Sequence, residues 1–202
     1  MAIATETKVR LEIKGIRPLL MHSARACDPL SEEAKAMKRL TSIRKKSEED
    51  IRAICKADWA AAFYSDEKGR PIVPGDVMLG ALIAGAKKLK LGPQAKAGII
   101  AVDDSIVLNH GHPAGESATA LDFWNDGVGP YVDARAVKVQ QARLIRYRPR
   151  FNFWTIKPVV WLSDEVDKDM LENIAETAGR LCGLGDFRPR FGGFVVERVT
   201  VL

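Results

Sequence analysis

The sequence is poor in the residues that build disulfide frameworks, metal sites and membrane spans. Its 202 residues include three cysteines and three histidines. The odd number and wide spacing of the cysteines fit neither a disulfide framework nor a zinc ribbon, which favours a reducing compartment. No apolar run approaches the roughly 20 residues of a membrane-spanning helix, and the first residues lack the pattern of a secretory leader. We therefore expect a cytoplasmic protein without a membrane, metal or cofactor partner.

Aromatic residues make up only 7% of the chain, and the motifs of common enzyme families are missing. There is no Walker loop, no Gly-x-Ser-x-Gly and no His-Glu-x-x-His. The two candidates for acid–base catalysis are His22, at the end of an apolar strand, and His110, in a loop. Each also reads as an ordinary packed or partly exposed histidine. The sequence therefore favours a non-catalytic protein over an enzyme.

The spacing of apolar residues predicts an α+β fold in one domain over 1–202. Val9, Leu11 and Ile13 alternate with charged residues, as in a half-buried strand. Helical periodicity covers 31–63, which we interpret as a helical insertion after the first strand. The remaining order is βαββαβ, a ferredoxin-like (RRM-type) sandwich with two helices on one sheet face and the other face free for a ligand. The segment 109–134, rich in Gly, Pro, Asn and Asp, is predicted as a long exposed loop insertion in the middle of the chain.

A short loop before the last strand combines glycines with arginines in the sequence GLGDFRPRFGG. Its candidate binding residues are Gly183, Gly185, Arg188, Arg190, Gly192 and Gly193. Glycines permit positive φ and close backbone approach. Exposed N–H groups together with guanidinium groups form a cradle for phosphate. The alternative is a helix C-cap at Gly183 followed by a tight turn.

Residues 135–150 contain six basic residues and no acidic one. Alternate residues of a strand share a face, so Arg146, Arg148 and Arg150 are expected on one side, with Tyr147 opposite. Together with Arg143 they are predicted to contact the phosphates of a nucleic acid. The alternative is a solvated edge strand whose charge opposes aggregation.

Two further features bear on a polyanionic partner, which the net charge of +5 permits without requiring it. Lys87 and Lys88 end a predicted helix, where they either extend the basic surface or simply complement the helix dipole. The aromatic residues of FNFWTIKPVVW, at 151–161, either stack on bases or belong to the core.

Taken together, three segments resemble the RAMP superfamily of CRISPR effector proteins. PIVPGDVMLGALIAGAKK is similar to the signature at the superfamily's first helix, and GLGDFRPRFGGF to its C-terminal glycine-rich loop. KGIRPLLMHS is similar to its first strand. Pro74, Gly75 and Gly80 would then set the first helix, with Asp76 standing where a serine is usual.

The resemblance implies a ferredoxin-like protein that binds single-stranded RNA without cleaving it. Copies would assemble head to tail along the strand as a homo-oligomer or filament, or inside a multi-subunit complex. Some relatives are metal-independent endoribonucleases, which would give His22 or His110 a catalytic role. A phage or prophage relative that binds single-stranded DNA, or a structural protein with an acidic protein partner, is the remaining alternative.

Overall fold

The computed structural model describes residues 6–139 and 141–202. Residues 1–5, where the sequence predicts no leader, and Gln140, in the predicted basic strand, lie outside the described residues.

The strands are β1 (Thr7–Gly15), β2 (Leu19–Leu20), β3 (Ile72–Pro74), β4 (Ile99–Val102), β5 (Ser105–Val107), β6 (Val132–Val139), β7 (Ala142–Phe151), β8 (Thr155–Ile156), β9 (Val159–Leu162) and β10 (Phe194–Val201). The helices are α1 (Glu32–Thr41), α2 (Glu48–Ala61), α3 (Gly75–Lys88), α4 (Gly92–Gly98), α5 (Ala120–Trp124) and α6 (Lys168–Thr177), with a π-helical turn at Ala178–Cys182 and short 3-10 turns at Arg25–Cys27, Gly115–Ser117 and Asn125–Gly127. The fold class is therefore α+β, as the sequence predicts. In the described part of the chain, no helix has the length and apolarity that a membrane crossing would demand.

The chain divides into two compact units, each assembled from separated segments. The first unit contains the chain up to Leu19, Ile72–Gly111 and Phe153–Leu202; the second contains Leu20–Pro71 and His112–Asn152. The segments that the sequence predicts as insertions, 31–63 and 109–134, fall in the second unit apart from residues 109–111.

An antiparallel sheet organises the first unit, in the order β10-β1-β9-β4, with β8 also paired to β1. The alternation predicted for β1 is confirmed, because Val9, Leu11 and Ile13 are buried and the residues between them are exposed or half-buried. Helices α3 and α6 cover the buried face with side chains such as Leu82 and Ile174. Burying each such side chain contributes about 1.5–3 kcal/mol, so this apolar layer holds the helices on the sheet.

Helix α3 and the α6 segment meet closely at Gly85. A Cβ at this position would lie 2.6 Å from the carbonyl oxygen of Ile174 and 2.8 Å from the Cβ of Ala178. Only glycine fits without moving backbone atoms. The π-helical turn begins at this contact, and it leads directly into the glycine-rich loop.

The second unit is built on the β6–β7 hairpin, whose register runs from the pair Val132 and Pro149 to the pair Val139 and Ala142. Strand β2 adds to the outer edge of β7, and α2 packs on β7. The segment 31–63, predicted to be helical, contains α1 and α2. The second of them begins with a capping box, in which Ser47 and Asp50 each accept the other's backbone N–H.

Aromatic rings form the core of the second unit. The ring of Phe63 lies 5.2 Å from Trp59 and 5.9 Å from Phe123, centroid to centroid. Phe123 and Trp124 belong to α5, inside the segment predicted as an exposed loop, yet both rings are buried. The middle of that segment is therefore part of the core. The high content of turn-forming residues around α5 concealed its buried face.

Candidate nucleic-acid interface

The glycine-rich loop, residues 183–193, is closed on itself by backbone hydrogen bonds. The Gly183 N–H donates to the carbonyl of Ala178 at 2.7 Å, and the Leu184 N–H donates to the carbonyl of Gly192 at 2.8 Å. Gly183, Gly185 and Gly192 have φ values of +77°, +76° and +69°, a region that only glycine adopts readily. A Cβ on Gly192 would also collide with the backbone of Leu184. The loop therefore needs glycine for its shape, as the sequence predicts.

The chain leaving β1 holds the loop in place. The Ile16 and Arg17 N–H groups donate to the carbonyl of Gly193 at 2.9 and 3.1 Å, and the Gly192 N–H donates to the carbonyl of Pro18 at 2.8 Å. The Arg17 guanidinium donates to the carbonyls of Gly179 and Arg180, both at 3.2 Å. Arg17 thus ties the π-helical turn to the far end of the loop.

The middle of the loop projects into solvent with its basic side chains. Arg188, Pro189 and Arg190 are all exposed. Beneath them, Phe187 and Phe191 make an edge-to-face contact with ring centroids 6.4 Å apart, and Phe191 is buried. Two guanidinium groups are therefore presented from a loop whose base is fixed, which lowers the ordering cost of binding an anion.

A cavity of about 560 Å³ lies between this loop and the end of α3. Its polar lining includes Lys88, Arg188 and Asp186, and its walls include Cys182 and Phe187. The structure therefore brings Lys88 together with the glycine-rich loop. The two cations exceed the one carboxylate in this lining, so the cavity favours an anionic group.

Lys87 lies apart from Lys88, although the two are adjacent in sequence. It lines a second cavity of about 480 Å³ on the α3 surface, together with Lys96 and Asp76. Both lysines are exposed in the last turn of α3, where they complement the negative end of the helix dipole. The lysine pair predicted as one cluster thus serves two different surfaces.

Strand β7 is unbroken, so Arg146, Arg148 and Arg150 lie on one side of it as predicted, but they do not form a row of solvent-exposed cations. The Arg146 guanidinium donates to Asp58 of α2 at 2.8 Å. The Arg148 side chain is buried, with 6% of its surface exposed. The Arg150 guanidinium donates to Asn152 at 2.9 Å, and of the predicted β7 arginines only Arg143 is classed as exposed. The ion pair with Asp58 offsets the charge of Arg146, and burial withdraws Arg148 from solvent, so neither is a freely presented cation of the candidate interface.

The two histidines singled out in the sequence occupy unlike surroundings. His22 is an exposed residue of the second unit, and its backbone carbonyl accepts a hydrogen bond from the Tyr64 hydroxyl at 3.0 Å. His110 belongs to the first unit and is 5% exposed. Across residues 6–139 and 141–202, no three His, Cys, Asp or Glu side chains gather as a metal site would require.

Sequence reasoning missed Arg17, which braces the base of the glycine-rich loop, and Asp58, which pairs with Arg146. Arg17 precedes a proline in the exit of β1, and its bonded carbonyls are more than 160 positions away in the chain. Asp58 lies on a helix of mixed charge and bonds a strand 88 positions later. Neither partnership leaves a local signal in the sequence.

No model of a known protein family matches this chain, and the search of curated proteins likewise returned no match.

Proposed function

We propose that this protein binds single-stranded nucleic acid, with RNA as the preferred strand, in the cytoplasm and without cleaving it. The observation that carries the proposal is the pairing of a rigid glycine-rich loop, bearing the exposed Arg188 and Arg190, with Lys88 across one cavity. Guanidinium groups bind phosphate oxygens through paired N–H donors. A lysine beside them adds a point charge.

The topology of the first unit supports a ferredoxin-like core related to the RAMP superfamily. The first unit also contains the short elements β3, α4 and β5; without these, its order is β1, α3, β4, then β8 with β9, α6 and β10, which is compatible with a βαββαβ core. The glycine-rich loop joins α6 to the last strand, which is where the resemblance puts it. The same resemblance is our reason for including self-assembly along the strand in the proposal.

Phosphate contacts of this kind position a strand without reading its sequence. Each phosphate neutralised on a single strand contributes about −0.7 to the slope of log K against log salt concentration. Lys88, Arg188 and Arg190 together therefore predict a slope of about −2 from this site.

The test is a fluorescence anisotropy titration with labelled RNA and DNA single strands at two or more salt concentrations. The variant R188A/R190A is compared with R44A/R52A, which removes the same charge from exposed positions of the second unit. We expect the loop variant to weaken binding and to reduce the salt slope by about 1.4, whereas the control changes neither. Equal affinity of the two variants, or affinity that ignores salt, would overturn the proposal.

Self-assembly is tested by sedimentation of complexes with strands of increasing length. The proposal expects the number of copies per strand to rise with strand length. One copy on every length would contradict assembly while leaving the binding site itself standing.

A further inference from the structure

The sheet of the first unit has one face that the helices leave open. Helices α3 and α6 cover the face that bears Val9, Leu11 and Ile13. Residues directly opposite in an antiparallel pair share a face. The register therefore places on the open face Lys8, Arg10, Glu12 and Lys14 of β1, Val159 and Trp161 of β9, and Arg198 and Thr200 of β10.

Trp161 is the aromatic residue of this face. It lies opposite Lys8 in the register, and the Lys8 ammonium sits over its ring at 5.5 Å from the centroid. Trp161 is half-buried, whereas Trp59, Trp124 and Trp154 are each 7% exposed or less. Lys8 is exposed and lies over one face of the indole, and a stacking ring would take the place of this lysine.

The charges around Trp161 leave a positive balance. Glu12 pairs with Lys157 at 3.1 Å, and Glu197 pairs with Lys14 at 3.6 Å. These pairs offset the charges of Glu12 and Glu197. Lys8, Arg10 and Arg198 add three exposed cations to the face, and Arg198 lies opposite Glu12 in the register. Lys8 and Arg10 are two residues apart on one strand, about 6.8 Å along it.

We propose that this open sheet face binds a stretch of single-stranded nucleic acid by stacking a base on Trp161, with Arg10 contacting an adjacent phosphate and Arg198, on the far side of β1, contacting a phosphate further along the strand. The inference rests on the proposed function for the class of ligand, but it uses a different surface. An aromatic platform flanked by cations is how single strands are held without sequence preference, since every base offers a π face. In a four-stranded sheet, such aromatics stack bases directly.

A protein partner fits this face less well. The centre of a protein–protein interface is depleted of charged residues and enriched in several aromatic ones. Here cations lie beside a single indole, and its apolar neighbours on this face, Val159 of the same strand and Ala101 opposite it on β4, are small. The positive charge and the indole of this face are complementary to a polyanion that carries flat rings, as a nucleic acid strand does.

The experiment combines tryptophan fluorescence with two kinds of strand. The other three tryptophans are buried, so quenching by an added oligonucleotide reports on Trp161. A base-bearing strand of uniform sequence is compared with an abasic strand of equal length, which keeps the phosphates and lacks the bases. The variants are W161A, W161F and R10A/R198A, measured beside R188A/R190A.

We expect the base-bearing strand to quench the wild-type fluorescence and W161A to lose roughly 5- to 150-fold in affinity for it. W161F should keep most of the affinity, because phenylalanine still stacks, and should abolish the quenching. Affinity for the abasic strand should be the same in W161A and wild type. R10A/R198A, at exposed positions that folding tolerates, should weaken binding of both strands.

The inference is overturned if W161A and R10A/R198A both bind the base-bearing strand as wild type does, or if W161A loses affinity equally for both strands. Loss in R188A/R190A alone would refute the sheet face and keep the proposed loop site. Loss in W161A alone would refute the loop site and support the sheet face. Failure of the wild type to bind either strand would overturn both.

Discussion

Asp58 accepts a hydrogen bond from the Arg146 guanidinium and another from the backbone N–H of Tyr147, both at 2.8 Å. This one carboxylate ties helix α2 to strand β7 at two successive residues. The carboxylate offsets the charge of Arg146, which the basic segment 135–150 predicts as a phosphate contact. It also fixes the position of the strand against the helix. The bond accounts for one of the arginines that the sequence places at a phosphate, whereas Arg148 is buried in the second unit.

Substituting Asp58 should destabilise the second unit. In Asp58→Ala, the Arg146 guanidinium and the Tyr147 N–H both lose their acceptor. Leaving such groups unsatisfied costs about 1–3 kcal/mol. We expect urea to unfold Asp58→Ala at a lower midpoint concentration than wild type, as measured by circular dichroism. The control is Arg52→Ala, because Arg52 is 81% exposed and lies 3.9 Å from Glu48, a contact expected to be worth less than about 1 kcal/mol. Equal midpoints for the two variants would show that the Asp58 contacts are dispensable.

Substitution by alanine should change the free energy of unfolding in opposite directions at Gly192 and at Gly80. Gly192 has φ +69° and its Cβ would strike Leu184, whereas a Cβ on Gly80 meets nothing within 4 Å on helix α3. Gly192→Ala should lower the free energy of unfolding by about 2 kcal/mol or more. Gly80→Ala should raise it by about 0.5–1 kcal/mol, the helix propensity difference. Thermal melts of both variants against wild type measure this, and a stabilising Gly192→Ala would contradict the described loop.

Removing Arg17 should loosen the glycine-rich loop without unfolding the unit. Arg17→Ala deletes the donors to Gly179 and Arg180. The loss of such bonds, about 1–3 kcal/mol together, should speed hydrogen exchange of the Leu184 and Gly192 amides roughly 5- to 150-fold. Arg180→Ala is the matched control, since its exposed side chain is lost while its carbonyl stays. Faster exchange in the control alone would exclude Arg17 as the positioning residue.

The turn at Asp66 should contribute stability that depends on pH. Burial alone would raise the pKa of Asp66, but the backbone and side-chain hydrogen bonds from Arg70, with its positive charge, outweigh burial and hold that pKa below its ordinary value. A carboxylate with a depressed pKa stabilises the fold above its unfolded pKa, about 3.9, and this stability is lost as the pH falls through the folded value.

The measurement is the difference in urea midpoint between wild type and Asp66→Asn as a function of pH. We expect a constant difference from about pH 5 to about pH 8 and a shrinking one below about pH 4. A difference that grows on acidification would show that Asp66 is not the ionised partner of Arg70. Asp122 serves as an internal reference, because hydrogen bonds from the Thr119 backbone and side chain lower its pKa. Its titration, followed by carbon NMR of the carboxyl group, should be the same in wild type and in Asp66→Asn.

The β1 strand and the helices within 31–63 were predictable because their signals are local. The alternation of Val9, Leu11 and Ile13 specifies a buried face regardless of what covers it. Ser47 with Asp50 marks a helix start through a bond between residues three apart. The glycine positions of the loop were predictable for the same reason, since the freedom to adopt positive φ is a property of glycine itself.

Helix α5 escaped prediction because its burial depends on distant rings. Phe123 packs on Phe63 and Phe151, at ring-centroid distances of 5.9 and 5.4 Å, and neither is near it in the chain. The five residues of α5 are too few to show a period. The glycine and proline residues on both sides of α5 predict turns, so the whole segment is predicted as a loop.

From the amino-acid sequence alone came the α+β class, the basic balance and a glycine-rich loop that presents Arg188 and Arg190, because periodicity, charge and backbone freedom are properties of residues and their near neighbours. The tertiary structure alone decided that Arg146 and Arg148 belong to packing, that Lys88 joins the loop while Lys87 does not, and that Trp161 and Lys8 share an open sheet face. Each of these depends on contacts between segments far apart in the chain. Such contacts follow from how helices and strands bury their apolar faces together, and no local pattern records them.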